Sequence, residues 1–139
     1  MFKLTIVTAE KTVYEGNIKM LVAPAVEGEI GILTNHQPIV TKLGAGGMRL
    51  VKEDDTEEVL FTAGGFLEFL NNEATRLADL VEDIKAIEVE QARAARFKAE
   101  GLLRHAQEDV DRDKLEEEIR MHMIRERLAE VGKFKKHKS

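Results

Sequence analysis

The pattern of side chains along this chain changes near residue 84, and that change divides the fold into two dissimilar parts. Before it, short runs alternate apolar and polar side chains and are broken by Gly, Asn or Pro, as in half-buried strands joined by turns. After it, Ala, Glu, Arg and Leu dominate, and all four are good helix formers. We therefore predict a β domain at residues 1–84, a helical hairpin at 85–132 and a basic flexible tail at 133–139.

The first part contains enough short runs for a β-sandwich or flattened barrel of about ten short strands. Strands are predicted at residues 2–7, 12–14, 18–22, 39–40, 48–51, 58–61, 66–70 and 74–80. Turns are predicted at Gly16-Asn17, at Pro24, between Gly28 and Gly31, at residues 35–38, 44–47 and 52–56, at Gly64-Gly65 and at Asn71-Asn72. Gly permits tight bends, and Asn and Pro favour turns for their own conformational reasons.

The second part is predicted to be an antiparallel pair of helices. One apolar stripe of the first helix comprises Ala95, Ala99, Leu102 and Ala106, spaced by three and four residues. Because three of the four are alanine, another helix can approach closely but buries little area per contact. Residues 108–111 are predicted to end this helix, and Asp111 or Asp113 is predicted to cap the next.

The second helix carries two apolar groups on different sides. The first group is Leu115, Ile119 and Met123, and the second is Met121, Ile124, Leu128 and Val131. Two interpretations stay open. Either the first helix and the β domain together cover one broad apolar face, or this helix can exchange partners.

Charge and composition exclude several classes of protein. Residues 1–83 carry 14 acidic and 7 basic side chains, whereas residues 84–139 carry 12 acidic and 14 basic ones. The basic end indicates either an acidic partner surface or a solvated terminus. The chain has no Cys, which excludes disulfides and thiolate metal sites. No apolar run approaches the roughly 18 residues of a membrane span, and we expect no export signal.

No motif in the sequence predicts an active site. The four histidines, His36, His105, His122 and His137, are scattered without the spacing of a metal site,. Residues 44–47 are rich in Gly, but a predicted strand follows them, whereas a phosphate-binding loop leads into a helix. The acidic clusters at residues 54–58 and 116–118 are best explained as solvated surfaces. An enzyme using these carboxylates is therefore the least favoured interpretation.

Several motifs in order resemble the ε subunit of bacterial and chloroplast F-type ATP synthases. They are residues 4–10, 27–32, 36–38, 64–68, 77–79 and 109–111, and the Ala-rich helix lies between the last two. The resemblance covers nearly the whole chain. It implies an N-terminal β-sandwich, a C-terminal two-helix hairpin and a place in the central stalk beside the γ subunit.

The resemblance also implies three contact sites. Residues Glu29, Ile30 and Gly31 would form a turn facing the c-ring. Thr8, His36 and Pro38 would lie against the γ subunit. The acidic lever loop of a catalytic β subunit would contact four basic side chains of the second helix, Lys114, Arg120, Arg125 and Arg127.

By this resemblance the protein is a non-catalytic rotor subunit that couples proton-driven rotation to ATP synthesis and inhibits ATP hydrolysis through a mobile hairpin. It would be a peripheral protein on the cytoplasmic face of a bacterial membrane, in contact with γ, the c-ring and the α and β subunits. It would bind no nucleic acid and no metal and insert nothing into the membrane. The alternative is a free-standing adaptor whose hairpin binds a coiled-coil partner.

Some members of this family bind ATP through an Ile/Leu-Asp-x-x-Arg-Ala motif. Here the corresponding residues include Glu88 and Gln91, and Glu82 completes a possible weak nucleotide site. Gln91 lacks the cationic fork that pairs with a phosphate. We therefore expect weak ATP binding or none, and no other cofactor.

Overall fold

The computed structural model describes the backbone of residues 1–106 and 109–138, and its side chains except those of 107–111 and 134–139. The strands are β1 Phe2–Val7, β2 Thr12–Ala25, β3 Gly28–Leu33, β4 Ile39–Lys42, β5 Gly46–Lys52, β6 Glu57–Ala63, β7 Phe66–Leu70, β8 Glu73–Leu77 and β9 Leu80–Asp83. The helices are α1 Val89–Arg104 and α2 Asp109–Lys138. The predicted class, a β-sandwich followed by two helices, is confirmed.

The strands form one continuous hydrogen-bonded set in the order β4-β7-β8-β1-β2-β5-β6-β9, with β3 also paired to β2. The pair β1 and β8 is parallel. The long strand β2 pairs with β1 along its first half and with β3 along its second, and it also pairs with β5. Inward-facing residues from this set form the core, among them Phe2, Leu21, Leu50 and Phe69.

Three predicted turns in this domain are wrong, because β2 continues through two of them and β3 begins before the third. Gly16 and Asn17 lie within β2, opposite Leu4 and Lys3 of β1, so the ladder continues through them. Pro24 is the next-to-last residue of β2 and lies beyond its last β5 partner, where a strand end tolerates a missing N–H. Gly31 lies within β3, and the chain reverses at residues 26–27 instead.

The predicted turn at residues 44–47 is wrong in part, since Gly46 and Gly47 lie within β5. Three other predicted turns are confirmed, and for two of them the backbone angles explain the residue types. The β5 and β6 strands form the predicted hairpin around residues 53–56. Gly64 and Gly65 both have φ of +74°, in the left-handed region that glycine adopts most readily. Asn71 and Asn72 have φ of 52° and 58°, which asparagine tolerates better than most residues.

The chain divides into two compact units, Met1–Glu82 and Asp83–Ser139. In the second unit α1 ends at Arg104, four residues before the predicted end at 108–111. The α2 helix begins at Asp109, so Asp113 lies inside the helix and the predicted caps are wrong. The side chain of Asp111 lies outside the described residues. The backbone of α2 is helical as far as Lys138, and flexibility of the tail stays a prediction.

The apolar faces of the helices differ in part from the prediction. On α1, Ala92 and Ala99 are buried but Leu102 is exposed, and Ala106 lies beyond the end of the helix. On α2, Leu115 and Ile119 are half-buried as expected, whereas Met123 and Val131 are exposed. Among the side chains of α2 that the structure describes, Ala129 and Gly132 are the most buried. Small residues, and not the predicted large ones, therefore occupy the closest contacts.

A buried arginine in β8 is a feature that the alternating pattern does not reveal. Arg76 points into the sandwich, is fully buried, and donates hydrogen bonds from Nη1 to the carbonyl oxygens of Gly64 and Leu77. Its Nε and Nη2 have no hydrogen-bond partner among the described residues. Burial lowers the pKa of this guanidinium to about 10, and the negative charge of Asp79 acts in the opposite direction.

We expect Asp79→Asn to lower the free energy of unfolding by about 1–2 kcal/mol, because it removes the charge that offsets buried Arg76,. The control is Asp55→Asn. Asp55 lies 2.5 Å from Lys19, but both side chains are exposed, so the expected loss is at most about 0.5 kcal/mol. Urea denaturation of both variants measures the difference, and equal losses would show that the charge of Arg76 is balanced in another way.

Candidate functional site

The outward-facing sides of β4, β7, β8 and β1 form one surface with several exposed apolar side chains. Val40 is 69% exposed, Phe66 44%, Leu70 47% and Leu77 37%; together these four are called the outer apolar face. Lys42 pairs with Phe66, which pairs with Leu77, and Leu77 pairs with Val7 of β1. Apolar side chains grouped on one surface in this way indicate an interaction site more strongly than scattered ones do.

A signal for this face is present in the sequence, in the composition of β7. Residues 66–70 read Phe-Leu-Glu-Phe-Leu, so apolar side chains occur on both faces of β7. Leu67 and Phe69 point into the core, and Phe66 and Leu70 point outward. A strand with one solvated face normally alternates with polar residues, so this departure marks a surface that is suited to a partner.

The loop that carries His36 is fastened to the β7–β8 turn. The backbone N–H of Asn35 donates to Asn72 Oδ1 at 2.7 Å, and Asn72 Nδ2 donates to Asn35 Oδ1 at 3.0 Å. Both asparagines have positive φ. These two hydrogen bonds between the turns hold the loop in a defined position beside the start of β1, where the Lys3 N–H donates to the Asn72 carbonyl.

The ring of His36 is oriented by two contacts. It packs edge-on against Phe69, with ring centroids 5.8 Å apart. Its Nδ1 lies 2.7 Å from the carbonyl oxygen of Gln37, and because a carbonyl can only accept, Nδ1 is the donor. The half-buried ring therefore leaves Nε2 as the nitrogen that can bond a partner.

Thr8 lies at the other end of β1 from His36. Its N–H donates to the Lys11 carbonyl at 2.9 Å, which forms a tight turn directly after the strand. The length of β1 separates the two ends by about 15 Å. The structure therefore does not bring Thr8 and His36 together, and the outer apolar face extends across the surface between them.

The predicted c-ring residues lie in a strand and not in a turn. Glu29 and Gly31 are exposed in β3, and Ile30 packs against the core. The turn itself is formed by Val26 and Glu27, and Val26 is 65% exposed. A shallow cavity of about 500 Å³ lies beside the turn, lined by residues 25–29 with Thr41 and Lys42. The turn therefore lies just before the predicted residues, and a contact with the c-ring stays a prediction.

The four predicted basic contacts on α2 do not share one face. Lys114, Arg120 and Arg127 are exposed, and Arg125 is half-buried. At 100° per residue, Lys114 and Arg125 lie on one side, and Arg120 and Arg127 lie about 120–160° away from them. The α2 helix therefore carries two basic edges, and their contact with an acidic loop stays a prediction.

An ion cluster connects the two helices. Glu126 of α2 accepts hydrogen bonds from Arg93 Nε at 3.1 Å and from Arg96 Nε at 2.6 Å. Glu130 lies 3.5 Å from Arg93, and Glu100 lies 3.2 Å from Arg96. The hydrogen bond from Arg96 lowers the pKa of Glu126. The bonds to Glu126 raise the pKa of both guanidinium groups.

The residues of the possible nucleotide site belong to different units. Glu82 is half-buried in β9 of the first unit. Glu88 directly precedes α1, its side chain makes no capping bond, and exposed Gln91 follows in the first turn. A nucleotide site formed by these three residues stays a prediction.

The described residues contain neither a membrane-spanning helix nor a metal-binding cluster. Neither helix, as far as it is described, has the length and apolar character that a membrane crossing requires. In the same residues, no group of three His, Asp or Glu side chains is placed to hold a metal ion.

Comparison with known proteins covers both parts of the chain. Residues 1–84 match the family described as ATP synthase, Delta/Epsilon chain, beta-sandwich domain. The chain is 37% identical over 119 residues to ATP synthase epsilon chain 2 of Ralstonia nicotianae, covering 86% of each protein. It is 30% identical over 138 residues to the ATP synthase epsilon chain of Dichelobacter nodosus, covering 99% of this chain and 96% of the relative.

A third relative, the ATP synthase epsilon chain of Pelotomaculum thermopropionicum, is 44% identical over 98 residues, which is 70% of this chain and 72% of the relative. Among solved structures, a chain of the Euglena gracilis mitochondrial ATP synthase (OSCP/F1/c-ring, rotational state 1) is similar with a TM-score of 0.77. It is 17% identical and the match covers 86% of this chain and 76% of that one. At that identity the likeness concerns the fold alone.

Proposed function

Since the chain belongs to the epsilon-chain family of ATP synthases, we propose that it is a non-catalytic rotor subunit that fastens the γ subunit to the c-ring. In this role it transmits proton-driven rotation to ATP synthesis and restrains ATP hydrolysis through its helical hairpin. The observation that carries the proposal is the outer apolar face with oriented His36 at one end and Thr8 at the other.

The outer apolar face is the surface proposed to bind γ. A rotor subunit must remain attached to γ while γ rotates, and this requires a contact with substantial buried apolar area. Fully burying a Val, Leu or Phe side chain contributes about 1.5–3 kcal/mol, and the four residues of this face are between 37% and 69% exposed before any partner binds. His36 Nε2 adds one directional hydrogen bond at the margin.

The β2–β3 turn is proposed to contact the c-ring. Val26 supplies an exposed apolar tip, and Glu29 supplies a charge in the adjoining strand. Because β2 and β3 are paired from Met20 to Ala25, the turn is a stiff projection from the sandwich. A stiff projection can transmit torque, whereas a flexible loop would yield.

The helical unit is proposed to inhibit hydrolysis when α2 inserts among the catalytic subunits. Its two basic edges, Lys114 with Arg125 and Arg120 with Arg127, allow acidic loops to bind on two sides of one helix. A small preference of a ligand or potential for one state suffices to shift such an equilibrium. Glu82, Glu88 and Gln91 would bind ATP weakly or not at all.

The relatives compared above are bacterial proteins, which supports a location on the cytoplasmic face of a bacterial membrane, as a peripheral part of the synthase with a plastid location less favoured. No specific observation favours the alternative of a free-standing adaptor.

Cysteine cross-linking in the assembled synthase tests the proposal. The chain has no cysteine of its own, so His36→Cys and Arg125→Cys each introduce a unique thiol. We expect position 36 to cross-link to γ, and position 125 to cross-link to a β subunit when hydrolysis is inhibited. Glu53→Cys, in the exposed β5–β6 loop, is the control. Equal cross-linking to γ from positions 36 and 53 would contradict the proposed interface.

A further inference from the structure

The α2 helix makes an unusually close contact with the segment that leads into α1. This segment, residues 84–88, is called the connector. A Cβ atom at Gly132 would lie 2.1 Å from the carbonyl oxygen of Ile84 and 3.0 Å from the backbone nitrogen of Lys85. Because those neighbours are backbone atoms, they cannot turn aside as a flexible side chain would. Only glycine permits α2 to lie this close to the connector.

The connector is itself well packed at this point. Ile84 and Ile87 are both buried, and the Ala86 N–H donates to the Asp83 carbonyl at 2.9 Å. Glycine is unfavourable inside a helix compared with alanine, so a helical glycine in such a contact has a packing reason. Gly101 of α1 provides the contrast, since the nearest atom to a Cβ there is Arg104 Nη2 at 3.8 Å.

Six residues earlier, α2 is held on another side by α1. Glu126 receives the two arginine hydrogen bonds at 3.1 and 2.6 Å, and its side chain is only 13% exposed. At 100° per residue, Glu126 and Gly132 are about 120° apart around the helix. Buried Ala129 lies between them in sequence. The segment 126–132 is therefore fixed from two directions.

We propose that residues 126–132 of α2 are a latch that keeps the helical hairpin closed, with Gly132 on the connector and Glu126 on α1. The latch rests on the proposed function, since it governs the inhibitory extension of the hairpin. Extension requires both contacts to separate, and each can be removed by a single substitution. Substitutions that weaken the latch should then increase the inhibition of ATP hydrolysis, while the two basic edges of α2 stay unchanged.

The test uses the full chain in the assembled synthase with spin labels on Lys85→Cys and Lys133→Cys, two exposed positions on either side of the Gly132 contact. Gly132→Ala is compared with Gly101→Ala, which makes the same chemical change where the nearest atom to the new Cβ lies at an ordinary contact distance of 3.8 Å. We expect Gly132→Ala to lengthen and broaden the label distance and to lower ATP hydrolysis about threefold or more. Gly101→Ala should leave both unchanged.

A second pair separates a lost latch from a damaged helix. Glu126→Gln removes the charge that both arginines contact. Its control is Glu117→Gln, which makes the same chemical change at an exposed position of α2. Glu126→Gln should change the label distance in the same direction as Gly132→Ala, with circular dichroism showing unchanged helix content. An unchanged distance in both variants would overturn the latch. A longer distance with unchanged hydrolysis would uphold the latch and contradict the inhibitory role instead.

Discussion

Replacing Gly65 by alanine is expected to lower the free energy of unfolding by more than about 3 kcal/mol, a large part of the 5–15 kcal/mol typical of a domain. Two costs add at this residue. Its φ of +74° is unfavourable by about 1–2 kcal/mol for a residue with a Cβ. That Cβ would also lie 1.9 Å from the carbonyl oxygen of Leu77 and 2.8 Å from its carbon.

The clash at Gly65 cannot relax easily, because Leu77 ends β8, which is paired on both sides with β1 and β7. Gly31→Ala is the matched control, since nothing lies within 4 Å of a Cβ there and alanine is the better strand residue by about 0.5–1 kcal/mol. Urea denaturation followed by circular dichroism should show a much lower midpoint for Gly65→Ala only. If Gly65→Ala unfolded at the same urea concentration as the wild type, β8 would be able to shift and relieve the clash.

Much of the β domain could be predicted from local patterns. The β5–β6 hairpin and the turns at Gly64-Gly65 and Asn71-Asn72 depend on residues close in sequence, and their chemistry is visible there. The errors at Gly16, Asn17 and Pro24 have a common cause. A glycine or proline interrupts a local pattern, but in β2 the partners across the sheet, Leu4 and Glu29 among them, decide whether the strand continues.

The candidate sites show the same division between local and distant information. The motifs containing His36 and Glu29 are short and can be read from the sequence, and the contacts predicted for them stay predictions. A hydrogen bond between Asn35 and Asn72 fixes the loop that carries His36. Glu126 of α2 is hydrogen-bonded to Arg93 and Arg96 of α1. No local pattern specifies such pairs. The two basic edges of α2 could have been found from helical geometry alone, since only the angles between positions are needed.

Removing residues 86–139 is expected to raise ATP hydrolysis by the assembled synthase several-fold, because under the proposed function the truncated chain retains the rotor contacts of the sandwich and lacks the inhibitory helices. A preference of about 1.4 kcal/mol for the inhibited state would correspond to a tenfold effect. The sandwich should survive the truncation, since every residue of its main core cluster lies between Phe2 and Val81. The hydrolysis rate of the purified complex measures the effect.

Two controls make the outcome of the truncation specific. The truncated chain must be present in the complex in its normal amount, since loss of the whole subunit would also change hydrolysis. A shorter truncation that removes only residues 107–139 leaves α1 in place and deletes both basic edges of α2. If α2 carries the inhibitory contacts, the two truncations should raise hydrolysis equally. An unchanged rate in a complex with a full complement of truncated chain would remove the inhibitory role while leaving the rotor contacts of the sandwich intact.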